Sequence, residues 1–423
     1  MCTINRITSL SHKNDNWSTS TWYERMSMAM SWLKRRFTYV FCLSVGWTIF
    51  LCVRSLHPFI RIRIGLLNYA RIGHLATNTE LCMRRMSVAS PARKTVNIFL
   101  AGTPPANRQL LDMIKRRLIV VESNYLYEML QTIYQRTLDD KIWISLRQSG
   151  YGLWKDWGIA GPQLSFTQAE KRKGEAVLQS IGVTPEQPFV CFCARDKTYL
   201  DVAQSWRSRL DWSYHDYRNN DIKNYMNAAI FLADNGIPAI RMGSVVEKAL
   251  DLNRLDIIDY ASHKRSDFAD VFLAAHCKFF LGDTGGLFGA ATIFGVPYAA
   301  VNLTPLRIAP RTSLDLFIPK KYRYRDSQQF LTIREIIEIG AHDWGRTELY
   351  TQAGLDVVEN SSEEILDLVV EMNERIDGTW VDDDDDHDLQ LLYRSMFPKN
   401  HPIVGHPSRI GARFLRKNAW LLN

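Results

Sequence analysis

The sequence predicts an α/β protein built on parallel sheets, and three observations carry that expectation. Short apolar runs that read as strands alternate with amphipathic helical runs along most of the chain. Residues 189–193 are apolar without alternation, as strands buried on both faces are. Small-residue turns follow the strands, most clearly Gly282-Asp283-Thr284-Gly285-Gly286. At 423 residues the chain is long enough for two domains, each with its own core. A hydrophobic share of 46% with 23% charged residues excludes disordered, collagen-like and coiled-coil classes.

From the N-terminus, a Ser/Asn/Thr-rich start leads into an apolar run at 37–53, between Lys34-Arg35-Arg36 and Arg54. Its seventeen residues fall just short of the ~20 a spanning helix needs. With Trp32 and Trp47 beside it, region 1–57 reads as a tail and a membrane-associated helix, spanning or lying in the interface. Residues 58–182 read as a first α/β domain. Its strands are expected at 59–64, 96–100 and 118–121, with a helix opening at Gly73 and His74, and Thr167 with Glu170 forms a capping box. Residues 183–188 (Val-Thr-Pro-Glu-Gln-Pro) read as the interdomain linker. The second α/β domain, 189–330, carries strands at 189–193, 237–242, 257–260, 279–281 and 298–302. Capping boxes at Thr332/Glu335 and Ser361/Glu364 open helices in 331–378 that suit packing across the domain junction. Residues 379–423, led by the acidic run 382–388, read as a solvated hinge and tail.

The net charge of +7 suits an anionic partner, phosphate or a membrane surface, and is too small to claim nucleic acid. Seven cysteines without a CxxC or a Cys/His cluster argue against zinc and disulfide frameworks and fit a reducing compartment.

The chemistry concentrates at strand ends. A strand–turn–helix reading of 279–294 leaves backbone N–H groups of Asp283, Thr284, Gly285 and Gly286 open to an anion. Arg195 follows the strand 189–193, where its guanidinium can hold a diphosphate through two parallel hydrogen bonds. Arg241-Met242-Gly243-Ser244 forms a third lip. Three such lips on one sheet edge point to a phosphate-bearing ligand. His74 is the candidate proton acceptor, with Asp196 in reserve; a histidine merely bonded to loop backbone is the alternative.

These residues resemble a family. Ala194-Arg195-Asp196, His215-Asp216-Tyr217-Arg218-Asn219, Arg241-Met242-Gly243, Arg265-Ser266-Asp267-Phe268 and Gly282-Asp283-Thr284-Gly285-Gly286 are similar to a family of bacterial glycosyltransferases. That family is distantly related to O-fucosyltransferases and nodulation fucosyltransferases, and its donor loop is similar to that of heptosyltransferases. Arg71-Ile72-Gly73-His74-Leu75-Ala76 and Glu359-Asn360-Ser361-Ser362 extend the resemblance. It implies a GT-B fold: two facing Rossmann-like domains, a nucleotide-sugar donor on the second and a glycan acceptor on the first. On the donor it implies contacts from Arg195, Arg241, Gly243, Ser244 and residues 283–286. On the acceptor side it implies Arg71, Gly73, Tyr199, His215, Tyr217 and Arg218. The family's His-x-Arg-Arg pattern is reduced here to Cys193-Ala194-Arg195-Asp196, which leaves the donor sugar open. With no Asp-x-Asp motif in a loop, inverting and metal-independent transfer at the cytoplasmic face of a membrane is expected, with no cofactor. The alternatives are a non-catalytic nucleotide-sugar or glycan binder and a Rossmann oxidoreductase. The latter lacks its early Gly-x-Gly-x-x-Gly.

Overall fold

The computed structural model describes residues 22–423 except 91–93, 147–152, 196–197, 199–211, 247, 252–253, 264 and 402. Asp196 and Tyr199 therefore lie outside the described residues. The α/β expectation holds, with two parallel sheets in two compact units.

The first unit comprises the described residues up to Ala70, with Ser90–Pro105 and Lys115–Leu146. Its strands are β1 (Arg61–Leu66), β2 (Thr95–Ala101), β3 (Ile119–Glu122) and β4 (Trp143–Ile144), all parallel in the order β3-β2-β1-β4. Gly65 faces Phe99 across β1 and β2, and a Cβ there would sit 2.4 Å from the ring, so no side chain fits. A 35-residue helix, Trp22–Leu56, precedes the sheet. Its C-terminal part packs on the helix Asn124–Thr137: Gly46 lies against Ile133, buried Phe50 stacks on Trp143, and Arg54 pairs with Asp139. Part of the apolar run at 37–53 is thus core. Among the described residues no helix is long and apolar enough to cross a membrane, which removes the spanning reading.

The second unit takes Arg71–Ala89, Ala106–Ile114 and the described residues of Arg147–Asn423. Its sheet holds β5 (Val190–Phe192), β6 (Ala239–Arg241), β7 (Ile257–Ile258), β8 (Phe280–Gly282), β9 (Tyr298–Leu303), β10 (Leu316–Pro319) and β13 (Arg409–Ile410). A two-stranded ribbon of β11 (Lys321–Tyr324) and β12 (Leu355–Val358) stands apart. The large sheet is parallel throughout, ordered β13-β10-β9-β8-β5-β6-β7. The chain runs outward through β5, β6 and β7, then returns to the other side of β5 with β8. Strand order therefore reverses between β5 and β8, as in doubly wound Rossmann-type sheets, and a crevice opens at the carboxyl ends of those two strands.

Three sequence boundaries change. Val183 is buried in the same core as Leu178 and Phe189, so 183–188 is an internal connection and not a linker between 58–182 and 189–330. The helix Ser362–Asp377 packs inside the second unit, on β9 and β10, rather than across a junction. Its approach is held by a reciprocal pair: Asn302 N–H donates to Asn360 Oδ1 and Asn360 N–H to Asn302 Oδ1, each at 2.6 Å. Residues 379–423 are neither hinge nor tail, because β13 extends the sheet and Phe414 and Leu415 enter the core. Asp386, 1% exposed, accepts the Asp383 N–H and pairs with Arg416 at 2.6 Å, while Asp382 pairs with Arg375. Residues 382–385, 387 and 388 are exposed, as a solvated run is, and Asp386 is the buried exception, its cationic partner lying elsewhere in the sequence. Asp386→Ala is expected to lower the unfolding free energy by about 1–3 kcal/mol, measured by urea titration, since it strands the Asp383 N–H and removes one of the two carboxylates that hold Arg416.

Candidate functional site

The site forms where β5 and β8 end. Asp283, 1% exposed, follows β8, and its carboxylate accepts three hydrogen bonds: from Arg195 N–H at 2.7 Å, Asn220 Nδ2 at 2.6 Å and Gly285 N–H at 2.7 Å. The Tyr298 hydroxyl donates to the Asp283 carbonyl at 2.6 Å. Asp283 thus ties the ends of the two central strands together. It is not turned to a ligand, and it consumes the Gly285 amide that the sequence assigned to anion binding.

Around this knot lie the charged groups. Arg218 Nε donates to Thr284 Oγ1 at 2.9 Å, and its Nη2 donates to the Thr284 carbonyl. Arg195 Nη1 donates to the His215 carbonyl at 3.2 Å and to Asn219 Oδ1. Beneath them, buried Lys320 reaches from the end of β10 to the carbonyls of Tyr217 (3.2 Å) and Asn219 (3.0 Å). Burial pushes the Lys320 amine down to about 8, against the attraction of Glu359 and Asp283. The segment bearing His215, Tyr217 and Arg218 is therefore pinned from both sides.

The N-terminus of the helix Ile72–Val88 completes the wall. A Cβ on Gly73 would lie 2.8 Å from both the Cα and the carbonyl oxygen of Gly286, and one on Gly289 would lie 3.0 Å from Thr77 Cγ2. Backbone meets backbone here, which only glycine allows. Arg71, Gly73 and His74 consequently belong to the second unit, with the 283–286 loop, and not to a separate first domain. The helix after that loop, Phe288–Thr292, has five residues, so an anion there would rely on guanidinium groups more than on a helix dipole.

A cavity of about 580 Å³ results, within the usual range for small-molecule sites. Arg71, Gly73 and His74 line it from one helix, and Arg195, His215, Tyr217 and Arg218 from the loops after β5. Gly243 and Ser244 after β6, and Thr284, Gly285 and Gly286 after β8, complete the expected set. Arg241 does not line it: buried, it donates to the Lys248 carbonyl at 2.7 Å and pairs with Asp259. The cavity's carboxylates are committed locally. Asp270 pairs with Arg265, and Asp315 accepts the N–H groups of Tyr298 and Thr312; burial raises both to about 6.

Arg71, Arg195 and Arg218, in contrast, make no ion pair with a carboxylate among the described residues; Arg71 lies over the Trp212 ring, 5.5 Å from its centroid. Their charge is felt by their neighbours. His215 is pushed down to about 4, first by burial and then by Arg218, Arg195 and Arg71. Arg195 itself is lowered to about 10, by burial and by Arg218. His74, at the exposed mouth, is lowered by partial desolvation and by Arg71, with a hydrogen bond to Asn78 acting the other way. At neutral pH His74 is uncharged and able to accept a proton.

Neither a family model nor a curated protein matches the sequence. Solved structures that the chain resembles are glycosyltransferases. With ADP-heptose LPS heptosyltransferase II of E. coli it shares 14% identity over 60% of this chain and 90% of that one, at a TM-score of 0.38. With a family 9 glycosyl transferase of Veillonella parvula it shares 10% identity over 56% and 79%, also at 0.38. With E. coli heptosyltransferase WaaC, solved with ADP, it shares 9% over 61% and 90%, at 0.29.

Sequence reasoning missed Asn220 and Lys320. Asn220 adjoins the motif 215–219 and was within reach of it; Lys320 has no local signal, since a lone lysine after a strand looks solvated. Replacing Gly73 with alanine is expected to destabilise the fold by about 1–3 kcal/mol in a denaturant titration, because the neighbour it strikes is backbone. For His215 the folded pKa of about 4 lies below the ordinary ~6.5. The stability it contributes is complete above pH ~6.5 and is lost as pH falls from there through about 4. His215→Asn should flatten the acid side of a plot of Tm against pH in that window.

Proposed function

We propose that the chain is a glycosyltransferase that takes a sugar from a nucleotide-sugar donor and passes it to a hydroxyl of a glycan or surface polymer. The observation that carries this reading is the trio Arg71, Arg195 and Arg218 lining one cavity, none of them in an ion pair with a carboxylate among the described residues. Like charges held together in this way favour an anion carrying more than one charge, and a diphosphate at the switch point between β5 and β8 meets that demand. The likeness to heptosyltransferase folds agrees with the reading without carrying it.

The chemistry follows from the charges. The bond between the sugar's anomeric carbon and the phosphate oxygen breaks, and its electron pair leaves with the nucleoside diphosphate. Arg195 and Arg218 stabilise the charge that develops there, aided by backbone amides of the 284–286 loop other than that of Gly285. An acceptor hydroxyl oxygen attacks the anomeric carbon from the opposite face, inverting it, and neutral His74 takes the hydroxyl proton. This division of labour needs no metal.

Nucleoside diphosphate release across a panel of nucleotide sugars, with cell-surface glycans as acceptors, tests the reading; donor binding with no release under any pairing would favour a non-catalytic binder. Arg218→Ala is expected to weaken nucleoside diphosphate binding by roughly 10–100-fold in calorimetry, the worth of one or two charged hydrogen bonds. His74→Ala should leave that affinity unchanged and slow transfer by about 10²–10⁴-fold. The opposite pattern would exchange or abolish the two roles.

A further inference from the structure

The long helix Trp22–Leu56 of the first unit presents two faces. Gly46 and Phe50 are buried toward the helix Asn124–Thr137. At 100° per residue, Met26, Met30, Leu33, Phe37, Val40 and Phe41 form a single stripe on the other side, about 22 Å long. All six are exposed, Phe37 to 74% and Met30 to 65%. At the same spacing Trp32 falls about 130° from the centre of that stripe; it is half-exposed, with the Arg36 guanidinium 4.6 Å from its ring centroid. A continuous apolar stripe of this size left in water implies something that covers it.

Charge selects the occupant. Between Met26 and Val53 the sequence holds Lys34, Arg35 and Arg36 and no Asp or Glu. A second copy packed on the same stripe would meet the same basic stretch, with no acidic partner from it. An anionic lipid surface supplies the missing counter-charge, and a tryptophan beside an arginine is at home at the headgroup level. Since no described helix can cross a bilayer, the helix would lie in the plane of the interface.

We infer that the 26–41 face of this helix docks the protein in-plane on an anionic bilayer. The inference does not rest on the glycosyltransferase reading.

Flotation of the full chain with vesicles tests it. Vesicles of one part phosphatidylglycerol to two parts phosphatidylcholine should carry the protein at low salt and release it progressively as salt is raised, whereas pure phosphatidylcholine should carry much less. The double variant L33E/F37E changes only exposed positions. It should reduce partition onto the anionic vesicles at least about tenfold, while circular dichroism shows an unchanged fold. Arg36→Glu should weaken the anionic preference with the apolar stripe intact. Equal partition onto neutral and anionic vesicles would overturn the inference, as would retained binding by L33E/F37E. A dimer in light scattering that L33E/F37E dissolves, in a protein that ignores both vesicles, would show instead that a second copy covers the face.

Discussion

The candidate site depends on one short-range constraint, the contact between the backbones of Gly73 and Gly286. A Cβ on Gly73 would lie 2.8 Å from Gly286, closer than packed atoms come, and one on Gly286 would lie a tight 3.1 Å from the Gly73 nitrogen. That closeness delivers Arg71 and His74 to a loop more than 200 positions away in the sequence. It also explains why the helix Ile72–Val88 belongs to the second unit although the strand before it, β1, belongs to the first. Dense packing transmits small displacements, so even one methyl group between the two glycines would move the histidine relative to the arginines.

Asp283 supports the same geometry from below. A buried carboxylate is tolerable when its oxygens are satisfied, and this one accepts three hydrogen bonds from three different segments. Its charge is used to hold Arg195, Asn220 and Gly285 in register. Lys320 acts in a comparable way through the carbonyls of Tyr217 and Asn219. Both ionic groups are thus spent on shaping the cavity, while the three guanidinium groups at its surface make no ion pair with a carboxylate among the described residues. That separation of roles gives the pocket its positive field, which adds to burial in depressing the pKa of His215.

The surroundings of the site follow from sheet order. Parallel strands that wind outward in two directions leave a crevice at the point of reversal, and here β5 and β8 flank it. Arg195 and residues 283–286 could be recognised as strand-end residues from their neighbours alone. Arg241, the last residue of β6, turns inward, because Asp259 and the Lys248 carbonyl offer it a buried partnership. Position at a strand end is therefore not sufficient for a role in the cavity.

Much was legible before any coordinates. Periodicity and turn chemistry marked β1 to β3 and β5 to β9 and left β4, β10 and β13 unread, while the capping boxes at Thr167, Thr332 and Ser361 all form, because their signals are local. The lip residues Arg195, Gly243, Ser244 and 284–286 could be read from the same short-range grammar. What the tertiary structure alone decided depends on long-range partners: which unit Arg71, Gly73 and His74 join, the inward turn of Asp283 and Arg241, and the burial of Asp386 by Arg416. A linear sequence states which groups are charged or small. It does not state which distant group each one meets, and in a folded chain that meeting determines whether a charge faces a ligand or holds the protein together.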